Sequence, residues 1–231
     1  MRRFWKDVSV APSGSAYCVT LDGRPIRTQG GNPQVVPSAT LAEALAAEWR
    51  AQGEKVDPRT LPLRDLADYA IDQVRADRAS AIADLLRYAE TDTLCYRADP
   101  DEPLYRRQQE VWEPLVAAFE TRHGVRLERV SGVIHRPQPQ ATLARLGEVL
   151  AAHDDLTLAA LATLAPLAAS LTIALAALAP EADPVALFAA ANCEEDWQAE
   201  LWGWDLEAER TRAIRLAAFE KAVEFARLAR N

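Results

Sequence analysis

Apolar and polar positions alternate with a period of two near the start of the chain, where Tyr17, Val19 and Leu21 are separated by smaller or polar residues. Successive side chains of a strand point to opposite faces, so this period predicts β-structure through residue 36. Asp22-Gly23 is a strong hairpin-turn dipeptide and Arg24 to Thr28 follows as its return strand. Gly30-Gly31-Asn32-Pro33 then reads as a loop, and Gln34-Val35-Val36 as a short strand closing the unit. After Pro37 the period lengthens to that of a helix. Ser38 or Thr40 can cap it, Thr40 and Glu43 have capping-box spacing, and Gly53 can end it.

Beyond Pro58 the pattern is mainly helical. Leu63, Leu66, Ala67, Ala70, Ile71 and Val74 recur at helical spacing after Pro62, a second helix is expected from Ala79 to about Glu90, and a third from Pro103 to Arg122, stopping at His123-Gly124. Val125 to Val130 alternates over too short a stretch to separate a strand from an extended connection. From Leu156 to Ala179 the residues are nearly all Leu, Ala and Thr, which predicts two buried helices meeting near Pro166. The last helix starts at Asp205 and carries a buried stripe of Leu216, Phe219, Val223 and Ala226, with Gly203 as the break before it. The reading is an α+β protein: a small β-rich N-terminal domain over 1–58 with one helix, and a larger, mainly helical C-terminal domain over 59–231.

Composition narrows the classes. Against 34 acidic residues stand 26 basic ones, a formal charge of −8, and the basic clusters are interrupted by acids, so binding to a nucleic-acid backbone is not expected. An acidic surface suits basic protein partners better. The run from Leu156 is long enough to span a bilayer, yet it is alanine-rich, holds Pro166, and is flanked by Asp154, Asp155 and Glu181 without Lys or Arg anchors, so no membrane insertion is expected. Cys18, Cys95 and Cys193 are widely spaced and form no C-x-x-C, which points to a reducing compartment rather than a disulfide framework or zinc site. Met1-Arg2-Arg3-Phe4-Trp5-Lys6-Asp7 lacks a signal-peptide core, which favours a cytoplasmic protein.

Convergent chemistry is scarce. His123, His135 and His153 fall in separate predicted elements without metal-ligand spacing, and no phosphate-loop, dinucleotide or nucleophile-elbow motif occurs. Ser170, inside an apolar run, reads as a helix-packing residue. Arg24 and Arg27 flank a turn and could hold a carboxylate, although the turn itself explains them. Asp92 and Arg97, among Tyr88, Cys95 and Tyr96, read as a buried ion-pair crossing, with Gln108, Trp112 and Pro114 securing a helix against it.

The densest feature is Cys193 to Asp205, which holds three tryptophans and five carboxylates in thirteen residues. On a helical wheel at about 100° per residue, Cys193, Trp197, Leu201 and Trp204 share an arc edged by Glu194, Gln198 and Asp205. This is either a core-facing helix with a solvated acidic side or an aromatic anchor beside an acid, as in a recognition surface. Glu194 and Glu195 point too far apart on a helix to act as a carboxylate dyad on one atom. Clustered carboxylates in a cleft between the domains, serving a hydrolase or lyase, form the alternative.

Taken together, several motifs resemble those of one family, the assembly chaperones of the alpha subunit of the F-type ATP synthase catalytic head, found in mitochondria and alphaproteobacteria. They are Arg3-Phe4-Trp5-Lys6, Leu21-Asp22-Gly23-Arg24-Pro25, Glu48-Trp49 with Gln52, Ala70-Ile71-Asp72, Tyr88 with Thr91-Asp92, Gln108 with Trp112 and Pro114, and Glu194-Glu195 with Gln198, Trp202-Gly203 and Asp205. Gln29-Gly30-Gly31 stands where the family usually has Thr-Pro, and Trp197 where it more often has Phe or Tyr. The resemblance implies a non-enzymatic holdase that covers the unassembled alpha subunit, without cofactor, metal or catalytic residues, acting as a monomer in the bacterial cytoplasm or, for a trimmed eukaryotic homologue, in the mitochondrial matrix. It further implies an important acid at Glu194 or Glu195; client binding is expected at Glu194, Glu195, Gln198, Trp202 and Asp205, with the two acids either near the client or holding the local fold and Trp202 packed behind them.

Overall fold

The computed structural model describes residues 2–132 and 136–230. By contacts the chain divides into two compact units: Met1–Arg78 with Asp154–Ala160 and Lys221–Asn231, and Ala79–His153 with Leu161–Glu220. The fold is α+β, a small antiparallel sheet region followed by a mainly helical remainder.

In the first unit, β1 (Val8–Ser13), β2 (Ala16–Leu21) and β3 (Arg24–Pro25) form an antiparallel sheet in that order, with Val8 opposite Leu21 and Ser13 opposite Ala16. Asp22 and Gly23 both take positive φ, 49° and 78°, the geometry a two-residue hairpin turn requires. The Asp22 carboxylate also accepts the backbone N–H groups of Lys6 and Asp7 at 2.9 and 2.8 Å, which ties the entering chain to the turn.

The return strand is shorter than Arg24 to Thr28, and Gln34 to Val36 makes only a single bridge, Tyr17 to Val36. The reason lies elsewhere in the sequence. α1 spans Ala39–Arg50, and α2 (Pro62–Tyr69) runs into a π turn, Ala70–Val74. Asp72 of that turn accepts hydrogen bonds from Thr28 Oγ1 (2.6 Å), Gly30 N (2.8 Å) and Asn32 Nδ2 (2.8 Å), while Asp68 accepts from Gln29 N and Gln34 Nε2. These carboxylates draw residues 28–34 out of the ladder.

Ser38 caps α1 by accepting from Leu41 N, but no capping box forms: Glu43 pairs with Arg50 and Thr40 bonds to Ser38. The helix ends at Ala51 in right-handed conformation, ahead of Gly53. Its buried face is Leu41, Ala42, Leu45, Ala46 and Trp49, and Trp5 meets Trp49 edge to face at 5.2 Å. Glu48 accepts from the N–H groups of Leu63 and Arg64, so α1 supplies the N-terminal cap of α2.

In the second unit, α3 (Arg78–Glu90) leads through a 3-10 turn at Thr93–Cys95 to β4 (Tyr96–Arg97), then α4 (Pro103–His123) ends on left-handed Gly124. β5 (Val130–Ser131) pairs parallel with β4, so only the last residue of Val125 to Val130 is strand. α5 (Gln140–Ala151), α6 (Asp155–Ala168), α7 (Leu171–Ala176), α8 (Pro184–Ala191), α9 (Cys193–Trp202) and α10 (Leu206–Ala229) complete the chain. α6 and α10 contribute residues to both units. In α10 Phe219, Val223 and Ala226 are buried as the stripe predicts, while Leu216 is half-buried.

The apolar run does not break at Pro166, which lies inside α6; the break comes at Ala169 (φ 47°) and Ser170. Ser170 caps α7 through Ile173 N, and buried Asp92 accepts the N–H groups of Leu94 and Thr172. Asp92 is thus a backbone clasp, not the partner of Arg97. Arg97 is buried with the carbonyl of Leu94 at 2.8 Å and Glu113 at 3.2 Å, its guanidinium over the Trp112 ring. Among the described residues no helix is long and apolar enough to cross a membrane, and no group of three or more His, Cys, Asp or Glu is placed to hold a metal ion. His135 lies outside the described residues.

Candidate interaction surface

α9 follows α8 after a single residue, Asn192, and the Trp112 indole anchors that junction by donating to Ala190 O at 2.7 Å. Glu194, Glu195 and Asp196 occupy the first turn of α9, where the helix dipole favours negative charge. The two adjacent glutamates turn to different partners. Glu194 Oε1 accepts from Gln108 Nε2 at 2.7 Å, and Gln108, fully buried, uses its carbonyl to accept Ala98 N at 2.8 Å. Glu195 instead faces α10, with Arg212 Nη1 at 3.2 Å and Arg215 Nη1 at 3.6 Å. The two carboxylates are thus held by different partners on different elements, α4 and α10.

Arg212 is the centre of the arrangement. It pairs with Asp196 at 2.7 Å as well as with Glu195, and its guanidinium lies 5.5 Å from the Phe188 ring centroid and 5.3 Å from that of Trp204. Arg215 adds a bond to Leu167 O and lies 5.6 Å from the same Phe188 ring centroid, and that ring meets Phe219. Burial pushes the Asp196 carboxyl above its ordinary range, and Arg212 offsets only part of that rise. Burial likewise raises the Cys193 thiol. Glu200, one turn on from Asp196, pairs with Arg107 at 2.9 Å.

At its C-terminal end α9 changes character. Gly203 (φ 85°, ψ 163°) stops the helix, so Trp204 leaves the wheel on which it shares an arc with Cys193. Of that arc only Cys193 is buried; Trp197 is half-buried and Leu201 exposed. Trp202 is 77% exposed and therefore does not pack behind Glu194 and Glu195. Gln198 and Asp205 are also exposed. Among the described residues, five of the eight large exposed hydrophobic side chains fall between 201 and 214: Leu201, Trp202, Trp204, Leu206 and Ile214. A wheel gives the angles between side chains but not which way the arc faces, and here much of it faces water.

The structure thus holds Glu194 and Glu195 in place in the first turn of α9, while exposed apolar side chains, Trp202 among them, follow its other end, and Gln198 and Asp205 are exposed. The sequence reading missed Arg107, Arg212 and Arg215 and the apolar positions Leu206 and Ile214. Arg212 and Arg215, three apart on a long helix that follows an acidic one, were the available signal.

The family model described as ATP12 chaperone protein matches residues 2–120. A crystal structure of Atp12 from Paracoccus denitrificans is 38% identical and superposes with a TM-score of 0.93, covering 99% of this chain and 98% of that one. An aspartate-to-lysine variant of the same Paracoccus protein matches equally well, covering 99% and 97%. The mitochondrial protein atp12 of Schizosaccharomyces pombe is 28% identical over a 214-position alignment that covers 87% of this chain and 74% of that protein.

Proposed function

The chain belongs to the ATP12 chaperone protein family, and on that premise we propose that it binds the unassembled alpha subunit of the F-type ATP synthase and shields its subunit interface until the catalytic head forms. The physical need is general: an interface as apolar as a core aggregates when it is exposed before assembly. The observation that carries the proposal onto this molecule is the set of exposed apolar side chains at the α9–α10 junction, where Trp202 stands in solvent at the end of the helix whose first turn holds Glu194 and Glu195. Large exposed apolar patches mark interaction sites.

In this reading the protein works as a monomer and without catalysis, in the compartment where the head assembles: the bacterial cytoplasm, or the mitochondrial matrix for a eukaryotic relative. Client contact falls to Glu194, Gln198, Trp202 and Asp205, while Glu195 acts through Arg212. The hydrolase or lyase alternative draws no support from the diverging partners of Glu194 and Glu195.

The test is co-expression with the alpha subunit, read as its recovery in the soluble fraction. Unchanged recovery refutes the proposal. Glu194→Lys should abolish protection at a stability cost of about 1.5–3 kcal/mol, because it strips the buried Gln108 amide of its charged acceptor. Glu195→Lys, which sets a cation against Arg212 and Arg215, should lower thermal stability as well.

A further inference from the structure

The corner of the second unit carries more negative charge than it pairs. From Cys193 to Glu209 the sequence has seven carboxylates and no lysine or arginine. Glu195 and Asp196 are matched by Arg212, and Glu200 by Arg107. Glu194 bonds to the neutral amide of Gln108. Asp205, Glu207 and Glu209 stand exposed at the start of α10, without an ion pair among the described residues. The helix dipole favours acids at that position but does not cancel their charge toward a partner. Beside Asp205, Glu207 and Glu209 in the chain stand Leu201, Trp202 and Leu206, which are 57%, 77% and 70% exposed.

We propose that this corner docks a client segment whose apolar side chains are flanked by lysine or arginine, so that the protein selects cationic apolar surface over acidic apolar surface. The inference rests on the chaperone reading above and adds the chemistry of the segment recognised. Charge complementarity names the occupant: apolar contact supplies affinity, and unpaired carboxylates around it repel a segment of like charge and steer one of opposite charge. A second copy of this chain is a poor occupant for the same reason, since it would bring the same acids and a net charge of −8 to the contact.

The test uses the full chain and two fluorescent synthetic peptides that share one amphipathic apolar pattern, with lysine in the polar positions of one and glutamate in the other. Fluorescence anisotropy should show the lysine peptide binding at least about tenfold tighter, a difference near 1.4 kcal/mol. Its affinity should fall severalfold on going from low to high salt, as screening shortens the reach of the carboxylates. Trp202→Ser, and separately the pair Asp205→Lys with Glu207→Lys, should each weaken it about tenfold or more. The exposed pair Asp101→Lys with Glu181→Lys makes the same change in net charge elsewhere and should leave affinity within about twofold.

Equal binding of the two peptides, no binding of either, or equal losses in the corner and control pairs overturns the inference. So does self-association of the chain that Trp202→Ser abolishes. Light scattering of the unassembled alpha subunit, measured in parallel, separates the two claims. Protection of the subunit without peptide discrimination leaves the chaperone reading standing and sinks this surface; discrimination without protection does the reverse.

Discussion

Arg212→Ala is the sharpest perturbation of the α9–α10 junction, because one guanidinium holds two carboxylates and lies against two aromatic rings. The Arg212 side chain is 17% exposed, Asp196 25% and Glu195 37%, so the ion pairs are partly screened and contribute about 0.5 kcal/mol each. The contacts over Phe188 and Trp204 add about 0.5–1 kcal/mol each, and the aliphatic stem about as much again. The sum is about 2.5–4 kcal/mol. For a chain of this size that lowers the unfolding midpoint by about 5–15 °C. Arg212→Lys keeps the charge but loses the planar fork and the stacking, so it should recover less than half of the difference.

The pH dependence of that gap is a second readout. Burial raises the folded Asp196 carboxyl above 3.8, with Arg212 opposing the rise. A carboxyl whose pKa is higher folded than unfolded costs stability above the folded value, and the cost disappears as pH falls through that window. Without Arg212 the rise is larger and so is the cost at neutral pH. The difference in stability between parent and Arg212→Ala should therefore be widest near pH 7 and shrink as the solution is acidified toward the ordinary carboxylate range. Calorimetry at a series of pH values measures both. A midpoint change under about 1 °C, or a gap that widens in acid, would show that Arg212 is an ordinary surface cation and that the network does not brace α9.

Three further outcomes follow from buried polar geometry. Asp92→Ala leaves the buried N–H groups of Leu94 and Thr172 without acceptors and should cost about 2–5 kcal/mol in denaturant unfolding, with Asp92→Asn milder because it keeps an acceptor. A Cβ on Gly30 would sit 2.7–2.9 Å from the Asp72 carboxyl, so Gly30→Ala should release residues 28–34 and speed their amide exchange, while Gly31→Ala should do so less sharply, since nothing lies within 4 Å of its Cβ despite its positive φ. Cys18, Cys95 and Cys193 are all buried, and burial pushes the Cys95 thiol up to about 12, so a thiol reagent should label none of them in the native protein and all three in denaturant.

Local chemistry was legible in the sequence wherever it decides the outcome alone. The hairpin turn follows from Asp22-Gly23, both at positive φ, and α4 runs between a proline that can start a helix and a glycine that can end one, Pro103 and Gly124. Where a distant group competes, periodicity misleads. The strand expected at Gln34 to Val36 shrinks to the one bridge at Val36, and Asp68 and Asp72 hold the loop before it, at Gln34 and Thr28, from 34 and 44 residues away. Arg97 turns from Asp92 to the Leu94 carbonyl and Glu113 because two backbone N–H groups already claim the Asp92 carboxylate. Nor does any local pattern announce that Lys221–Asn231 belongs with the first unit.

The α9 corner shows the same limit at the place that matters for function. Trp112, Phe188 and Phe219 are fully buried nearby in the fold, so this unit does not lack the means to cover aromatic side chains. Leaving Trp202, Leu206 and Ile214 in water forgoes about 1.5–3 kcal/mol for each. Gly203, at a positive φ of 85°, ends α9 before Trp204 can join its wheel, and Arg212 then lies against Trp204 while it pairs with Glu195 and Asp196 of α9. An aromatic segment ordered by ion pairs and yet kept out of the core has its apolar surface free for another chain. The union of tryptophan and carboxylate in Cys193 to Asp205 therefore divides by geometry, with Glu195 and Asp196 bracing through Arg212, Glu194 held by Gln108, and Trp202 standing in solvent.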